Sequence, residues 1–208
     1  MRALQDCHLY GIVDLGYTKP ENVAEMTQAL VEGGVDLLQL RAKKMLPQEV
    51  EMLARRMIPI TRGADVPLVI NDHPNVAAAV GSEGVHVGQD DLDVAGTRGI
   101  VGPSCFVGKS THSLEQARAA MAEGADYIGF GPLYATGTKP DYVPIGVQDI
   151  REVHRGARCP VFCIGGINLQ TLPEVIEAGA QRMVIVSALL LAPDVRATVR
   201  EVRKQMGR

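Results

Sequence analysis

Eight short apolar runs recur along the whole chain, and no other feature restricts its fold as tightly. They lie at His8–Asp14, Asp36–Ala42, Pro67–Asp72, Gly84–Gly88, Cys105–Ser110, Tyr127–Leu133, Pro160–Gly166 and Arg182–Ala188. Each is rich in Val, Ile or Leu and bounded by Gly, Pro or Asp, the pattern of a strand buried on both faces of a parallel sheet. Helical stretches separate them. After Pro20, the residues Val23, Met26, Leu30 and Val31 share one helix face, and Gly33–Gly34 stop it. Ser113-Leu-Glu-Gln116 reads as a capping box ahead of Leu114, Ala117 and Met121, with a stop at Gly124. Asn168 opens a segment whose Leu172, Val175 and Ile176 end at Gly179, and Ala192 to Met206 forms a last helix with alternating charge outside. Eight strand–helix units without a Pro/Ser-rich linker predict an α/β fold, a single-domain (β/α)8 TIM barrel over residues 1–208. A doubly wound open sheet is the alternative, but even spacing favours closure.

Composition removes several function classes. At 46% hydrophobic and 22% charged residues the chain is neither a coiled coil nor a disordered tail. The longest apolar stretch, Met183 to Ala192, is interrupted by Ser187 and too short to cross a bilayer. The N-terminus has no apolar signal-peptide core, so an intracellular protein without membrane partners is expected. A net charge of −3, few aromatics and no basic run argue against nucleic-acid binding. The four cysteines form neither a CxxC pair nor a zinc pattern and read as reduced thiols in a cytoplasmic enzyme.

In such a barrel the reactive groups belong at the C-terminal ends of the strands. The second strand sets Gln39, Arg41 and Lys43 on one face by its period of two. Two cations at a barrel mouth need an anion, either a neighbouring carboxylate paired with Arg41 or a polyanionic ligand. The third and fourth strands lead into Asn71-Asp72 and Gln89-Asp90-Asp91. Asp72 and Asp91 can cap helices or turns; on adjacent strands they also suit Mg²⁺, with phosphate and water completing the ligands. The loop from Tyr134 to Tyr142 carries Thr136, Gly137, Thr138 and Lys139, suited to a lid over a phosphate. Gly165-Gly166 after strand seven, and Val186-Ser187-Ala188 closing strand eight, fall where this architecture binds phosphate. Gly108-Lys109-Ser110 is not a P-loop, because Gly102 lies one position too far upstream; Ser110 can still donate to a ligand oxygen. His86 reads as a hydrogen-bonded barrel residue, His73 as a turn former and His112 as a group near the mouth that could move protons. No nucleophile–histidine–acid set is spaced convincingly.

Taken in order, Gln39-Leu-Arg-Ala-Lys43, Asn71-Asp72, Gly84-Val-His-Val-Gly-Gln-Asp-Asp91, Ser110-x-His112, Gly129-Phe-Gly-Pro132, Thr136-Gly-Thr-Lys139, Ile164-Gly-Gly-Ile167 and Val186-Ser187-Ala188 resemble the thiamine-phosphate synthase family from the first strand to the last. The resemblance implies joining of 4-amino-2-methyl-5-hydroxymethylpyrimidine diphosphate to 4-methyl-5-(2-phosphooxyethyl)thiazole, giving thiamine phosphate and diphosphate. It implies that Gln39, Arg41, Lys43 and Asn71 hold the pyrimidine diphosphate and that Asp72 and Asp91 bind Mg²⁺. Ser110 and Lys139 would contact the pyrimidine substrate, serving the chemistry together with Arg41 and Lys43. Thr136, Gly137, Thr138, Gly166, Val186 and Ser187 would take the thiazole phosphate. The chain departs from the family by beginning almost at its first strand, which leaves the closure of the barrel bottom to be explained, and by placing Lys109 before Ser110. A thiazole tautomerase on the same barrel, with His112 moving protons, is the rival; such an isomerase needs neither the acid pair nor the Arg41/Lys43 strand. A non-catalytic barrel sensing a phosphate ligand is the third reading. Oligomeric state is left open, a homo-oligomer included.

Overall fold

The computed structural model describes residues 1–137 and 143–208. The apolar runs become eight parallel strands: β1 Leu9–Asp14, β2 Leu37–Arg41, β3 Leu68–Asn71, β4 Gly84–Val87, β5 Phe106–Thr111, β6 Tyr127–Phe130, β7 Val161–Ile164 and β8 Met183–Ile185. They pair in chain order, and β8 returns to β1 with Met183 opposite Leu9 and Val184 opposite Tyr10. The barrel is closed, which removes the open-sheet alternative. Among the described residues no helix is long and apolar enough to cross a membrane.

The helices are α1 Val23–Gly33, α2 Pro47–Gly63, α3 Pro74–Val80, α4 Val94–Val101, α5 Leu114–Ala122, α6 Ile150–Gly156, α7 Leu172–Glu177, α8 Ser187–Leu190 and α9 Val195–Gln205. Helix α1 stops as expected: Gly34 adopts φ 107° and returns its N–H to the Leu30 carbonyl. The cap of α5 is offset from the box read in the sequence. Ser113 Oγ accepts from Gln116 N at 3.1 Å, whereas Gln116 Oε1 accepts from His112 N at 2.8 Å, one residue earlier than the reciprocal bond requires.

Three boundaries differ from the sequence reading. Asn168 builds a turn, its Oδ1 accepting from the Gln170 and Thr171 amides at 2.9 and 3.1 Å, so that helix α7 begins only at Leu172. Strand β8 ends at Ile185 because Val186 leaves extended backbone, at φ −115° and ψ −90°. Ser187-Ala188 therefore opens the short α8 instead of closing the strand. The last helix starts at Val195 rather than Ala192, capped by Asp194 Oδ1 accepting from Ala197 N at 3.0 Å.

Two apolar layers result. One lies between strands and helices, and the other fills the barrel. In the barrel Tyr10, Tyr127 and Phe162 meet edge to face, with centroids 5.4 Å apart for Tyr10–Phe162 and 5.6 Å for Tyr127–Phe162. Glycines in the strands make room for these rings: a Cβ at Gly108 would stand 2.1 Å from Tyr127 Cζ, and one at Gly84 2.1 Å from Phe106. The bottom is closed by a 3-10 turn, Leu4–Asp6, whose Leu4 packs with Cys7 under the aromatic layer.

Buried Asp36 at the entrance to β2 ties this end together. It accepts from the His8 and Leu9 amides, both at 2.9 Å, from Arg203 on α9 at 3.0 Å, and from Arg2. Helix α9 lies close on α1, since a Cβ at Gly33 would fall 2.6 Å from Val199. Arg208 Nη2 reaches His8 Nδ1 at 3.2 Å, so the end of the chain comes back to the start of β1.

Candidate functional site

Strand geometry gathers the predicted residues at the C-terminal mouth. Pairing puts Asp14 of β1 opposite Arg41 of β2, and Arg41 Nη1 donates to Asp14 Oδ2 at 2.7 Å. Both side chains are mostly buried, so the carboxylate alternative for Arg41 is realised in this structure. Arg41 still lines the mouth cavity, and its planar fork carries donors beyond the one given to Asp14. Lys43 lies past the strand end, its Nζ 3.0 Å from Asp72 Oδ2. Gln39, one turn of the pleat deeper, donates from Nε2 to Tyr10 Oη at 2.6 Å.

Asp72 and Asp91 do converge. Asp72 sits in the left-handed region at φ 62°, which costs a non-glycine residue about 1–2 kcal/mol. Its amide donates to the His86 carbonyl at 2.9 Å, holding the residue at the β3–β4 rim. Burial raises the Asp72 carboxyl, and the facing Asp91 charge adds to that against the pull of Lys43. For Asp91 burial also acts upward, but the Gly88 amide at 2.6 Å, a hydrogen bond from Asp72 and the charges of Lys43 and Lys109 outweigh it, leaving the group below its ordinary range. Two facing carboxylates beside lysine ammonium groups form a donor set suited to positive charge. Among the described residues no three His, Cys, Asp or Glu side chains gather as a metal cage. Two carboxylates, with the remaining ligands left to phosphate and water, fit Mg²⁺ better than a transition metal. Asp90 is exposed beside the pair.

Deeper in the cavity, Ser110 Oγ lies 2.9 Å from His86 Nε2, and its backbone carbonyl accepts from Gln89 Nε2. Asn71 is buried, yet its Nδ2 has no hydrogen-bond partner among the described residues, a donor left for whatever fills the cavity. His112 Nδ1 donates to the Gly131 carbonyl when the ring is neutral, which leaves Nε2 as the basic nitrogen. Lys109, on the opposite face of β5 from Ser110, is buried and adds positive charge near Asp91.

The far side of the cavity is formed by Thr136, Gly165, Gly166, Val186 and Ser187. Gly165 and Gly166 adopt φ 101° and 68°. A Cβ on Gly166 would stand 2.6 Å from Tyr134 Cβ, so only glycine lets the loop lie this close. Gly137 lies 3.3 Å, measured from an added Cβ, from Tyr17 Oη. Thr138 and Lys139 lie outside the described residues.

Three participants were not singled out from the sequence. Asp14 ends a strand by the same rule that pointed to Arg41 and could have been found by it. Tyr10 and Tyr127 sit inside strands with no local signal beyond apolar character; their hydroxyls acquire a role only when strands far apart in the sequence meet.

A family model described as thiamine monophosphate synthase matches residues 9–189. The thiamine-phosphate synthase of Chloroflexus aurantiacus is 39% identical over 199 residues, 95% of this chain and 92% of that relative. The thiamine-phosphate synthase of Shouchella clausii is 41% identical over 190 residues, 91% of each. Among solved structures, the thiamine phosphate pyrophosphorylase from Pyrococcus furiosus superposes with a TM-score of 0.88 at 32% identity, covering 97% of this chain and 96% of that one. A 3-hexulose-6-phosphate synthase, at 18% identity and a TM-score of 0.71, shares the barrel alone.

Proposed function

The chain belongs to the thiamine-phosphate synthase family of transferases, and from that premise we propose how its barrel mouth carries out the joining reaction. The substrates are the aminopyrimidine diphosphate and the thiazole phosphate. The C–O bond to the diphosphate breaks, its electron pair leaving with the diphosphate, and the amino group of the ring feeds charge into the resulting benzylic-type cation. The lone pair of the thiazole nitrogen then forms the new C–N bond. That nitrogen carries no proton, so no general base is needed.

The observation that carries this reading is the convergence of Arg41, Lys43, Asp72 and Asp91 at one rim. Gln39, Arg41, Lys43 and Asn71 would hold the pyrimidine diphosphate, with the Asn71 amide, unpartnered among the described residues, a ready donor. Asp72 and Asp91 would hold Mg²⁺, which supplies positive charge for the departing diphosphate when bound. Arg41 and Lys43 add fixed cations, preorganised so that no rearrangement is needed as charge grows on the leaving group. Ser110 would contact the pyrimidine substrate, and Lys139 its diphosphate. Thr136, Gly137, Thr138, Gly166, Val186 and Ser187 would take the thiazole phosphate. The free thiols suit a cytoplasmic enzyme.

The test supplies both substrates with Mg²⁺ and follows diphosphate release together with thiamine phosphate. Equal amounts of the two products are expected. Migration of the thiazole double bond without diphosphate release would replace this reading with the tautomerase.

A further inference from the structure

Five polar side chains from five strands cross the barrel interior in one unbroken hydrogen-bonded series. Gln39 Nε2 stands 2.6 Å from Tyr10 Oη, and Tyr10 Oη 3.0 Å from Tyr127 Oη. Tyr127 Oη is 3.0 Å from His86 Nδ1, and His86 Nε2 2.9 Å from Ser110 Oγ. All five line the mouth cavity. Gly108, paired with His86 across β4 and β5, makes the crossing possible: a Cβ there would lie 2.5 Å from the Tyr127 hydroxyl oxygen.

Chemistry gives the series a direction. An amide nitrogen only donates, so the Tyr10 oxygen accepts from Gln39. Tyr10 is buried, and its own proton goes to its other neighbour, the Tyr127 oxygen. Tyr127 passes its single proton to His86 Nδ1, which must therefore present a lone pair. A neutral imidazole then carries its proton on Nε2 and gives it to Ser110 Oγ. Reversing either bond that a tyrosine donates leaves a buried phenol proton unpaired, at about 1–3 kcal/mol. Burial holds both phenols in their protonated, donating form.

Building on the reading of Ser110 as a substrate contact, we infer that Tyr10, Tyr127 and His86 are positioning residues that fix Ser110 as a one-way donor, so that the pyrimidine pocket takes ligands offering a hydrogen-bond acceptor there. A ring nitrogen or a phosphate oxygen satisfies that demand. An analogue with an N–H at the same place can take only the remaining Ser110 lone pair and leaves the hydroxyl proton unpaired, so it binds more weakly.

Nitrogen-15 NMR of the histidine-labelled full chain near neutral pH, with His86 assigned by its loss in His86→Gln, reads the direction without any substrate. Protonated Nε2 and bare Nδ1 are expected; a protonated Nδ1 overturns the inference. Kinetics read its use. Tyr127→Phe and His86→Leu should each lower kcat/KM for the pyrimidine diphosphate at least tenfold while KM for the thiazole phosphate is unchanged. His86→Gln, whose amide nitrogen can donate to Ser110, should recover most of that loss. In a Ser110→Ala background Tyr127→Phe should cost nothing further, because its effect travels through the serine. Full additivity, or equal activity of His86→Leu and His86→Gln, overturns the inference. If Ser110→Ala alone leaves the kinetics unchanged, the assignment of Ser110 to the substrate fails and the inference with it, while the NMR result still stands for the direction of the series. Tyr10→Phe interrupts the same series one link earlier and serves if Tyr127→Phe does not fold.

Discussion

Replacing Asp36 by Ala removes a carboxylate that closes the barrel at its bottom, far from the mouth. In the native protein its oxygens accept from the His8 and Leu9 amides at 2.9 Å, from Arg203 at 3.0 Å, and from Arg2. The Leu9 amide is buried, and leaving it unpaired costs about 1–3 kcal/mol. The charge-assisted bond from Arg203 is worth about 1–2 kcal/mol after allowing for its partial exposure, while the more exposed His8 amide and Arg2 rehydrate. Together the loss should be about 2–5 kcal/mol, overlapping the range found when a buried pair is broken from one side. With a urea m-value of about 2 kcal/mol/M, the unfolding midpoint should fall by roughly 1–2.5 M at constant m. Turnover of the folded variant should match the parent, since the rim proposed to carry the chemistry lies at the other end of the strands. A midpoint shift worth less than about 1 kcal/mol would show that Asp36 does not hold the β1–α9 seam, and a lowered kcat would refute the separation of stability from chemistry.

Further outcomes concern the mouth and the response to acid. Asp14→Ala leaves the Arg41 guanidinium without its counter-ion, so inorganic diphosphate should raise the melting temperature of this variant more than that of the parent; an equal rise would mean that Arg41 does not meet the anion. Gly166→Ala forces a Cβ to 2.6 Å from Tyr134 and should raise KM for the thiazole phosphate at least tenfold, with KM for the pyrimidine diphosphate within twofold. His154, lowered to about 4 by burial and by the Arg182 charge, resists protonation only in the folded state. Its contribution is therefore complete above the unfolded value of about 6.5 and is lost as pH falls toward 4, about 1–2 kcal/mol once screening is allowed for. Urea midpoints should decline less over that interval in His154→Gln, and an identical decline would exclude the histidine.

The parts of the molecule legible in the sequence were those written within a single segment. The eight strands, the stop at Gly34 and the in-facing Gln39 and Arg41 follow from period, breakers and alternation, whereas Lys43 falls beyond the end of β2 and β8 ends before its apolar run does. The meeting of Asp72 with Asp91 followed from adjacency of β3 and β4 once the barrel was assumed. What stayed hidden depends on register across strands. That Arg41 faces Asp14, or that Ser110 reaches Tyr10 through His86 and Tyr127, is decided by the stagger of the closed barrel, which no single stretch of residues encodes. The end of β8 was misplaced for a local reason: Val186-Ser187-Ala188 continues an apolar run, and nothing in its composition announces the sharp backbone turn at Val186.

The return of Arg208 to His8 makes the order in which the strands are synthesised a matter of history rather than necessity. A short polar linker could join residue 208 to residue 1, and the chain could instead be opened at the exposed Pro103-Ser104 corner below β5. A ring of eight equivalent neighbours has no first member, and such a permuted polypeptide should rebuild the same rim with its chemistry intact.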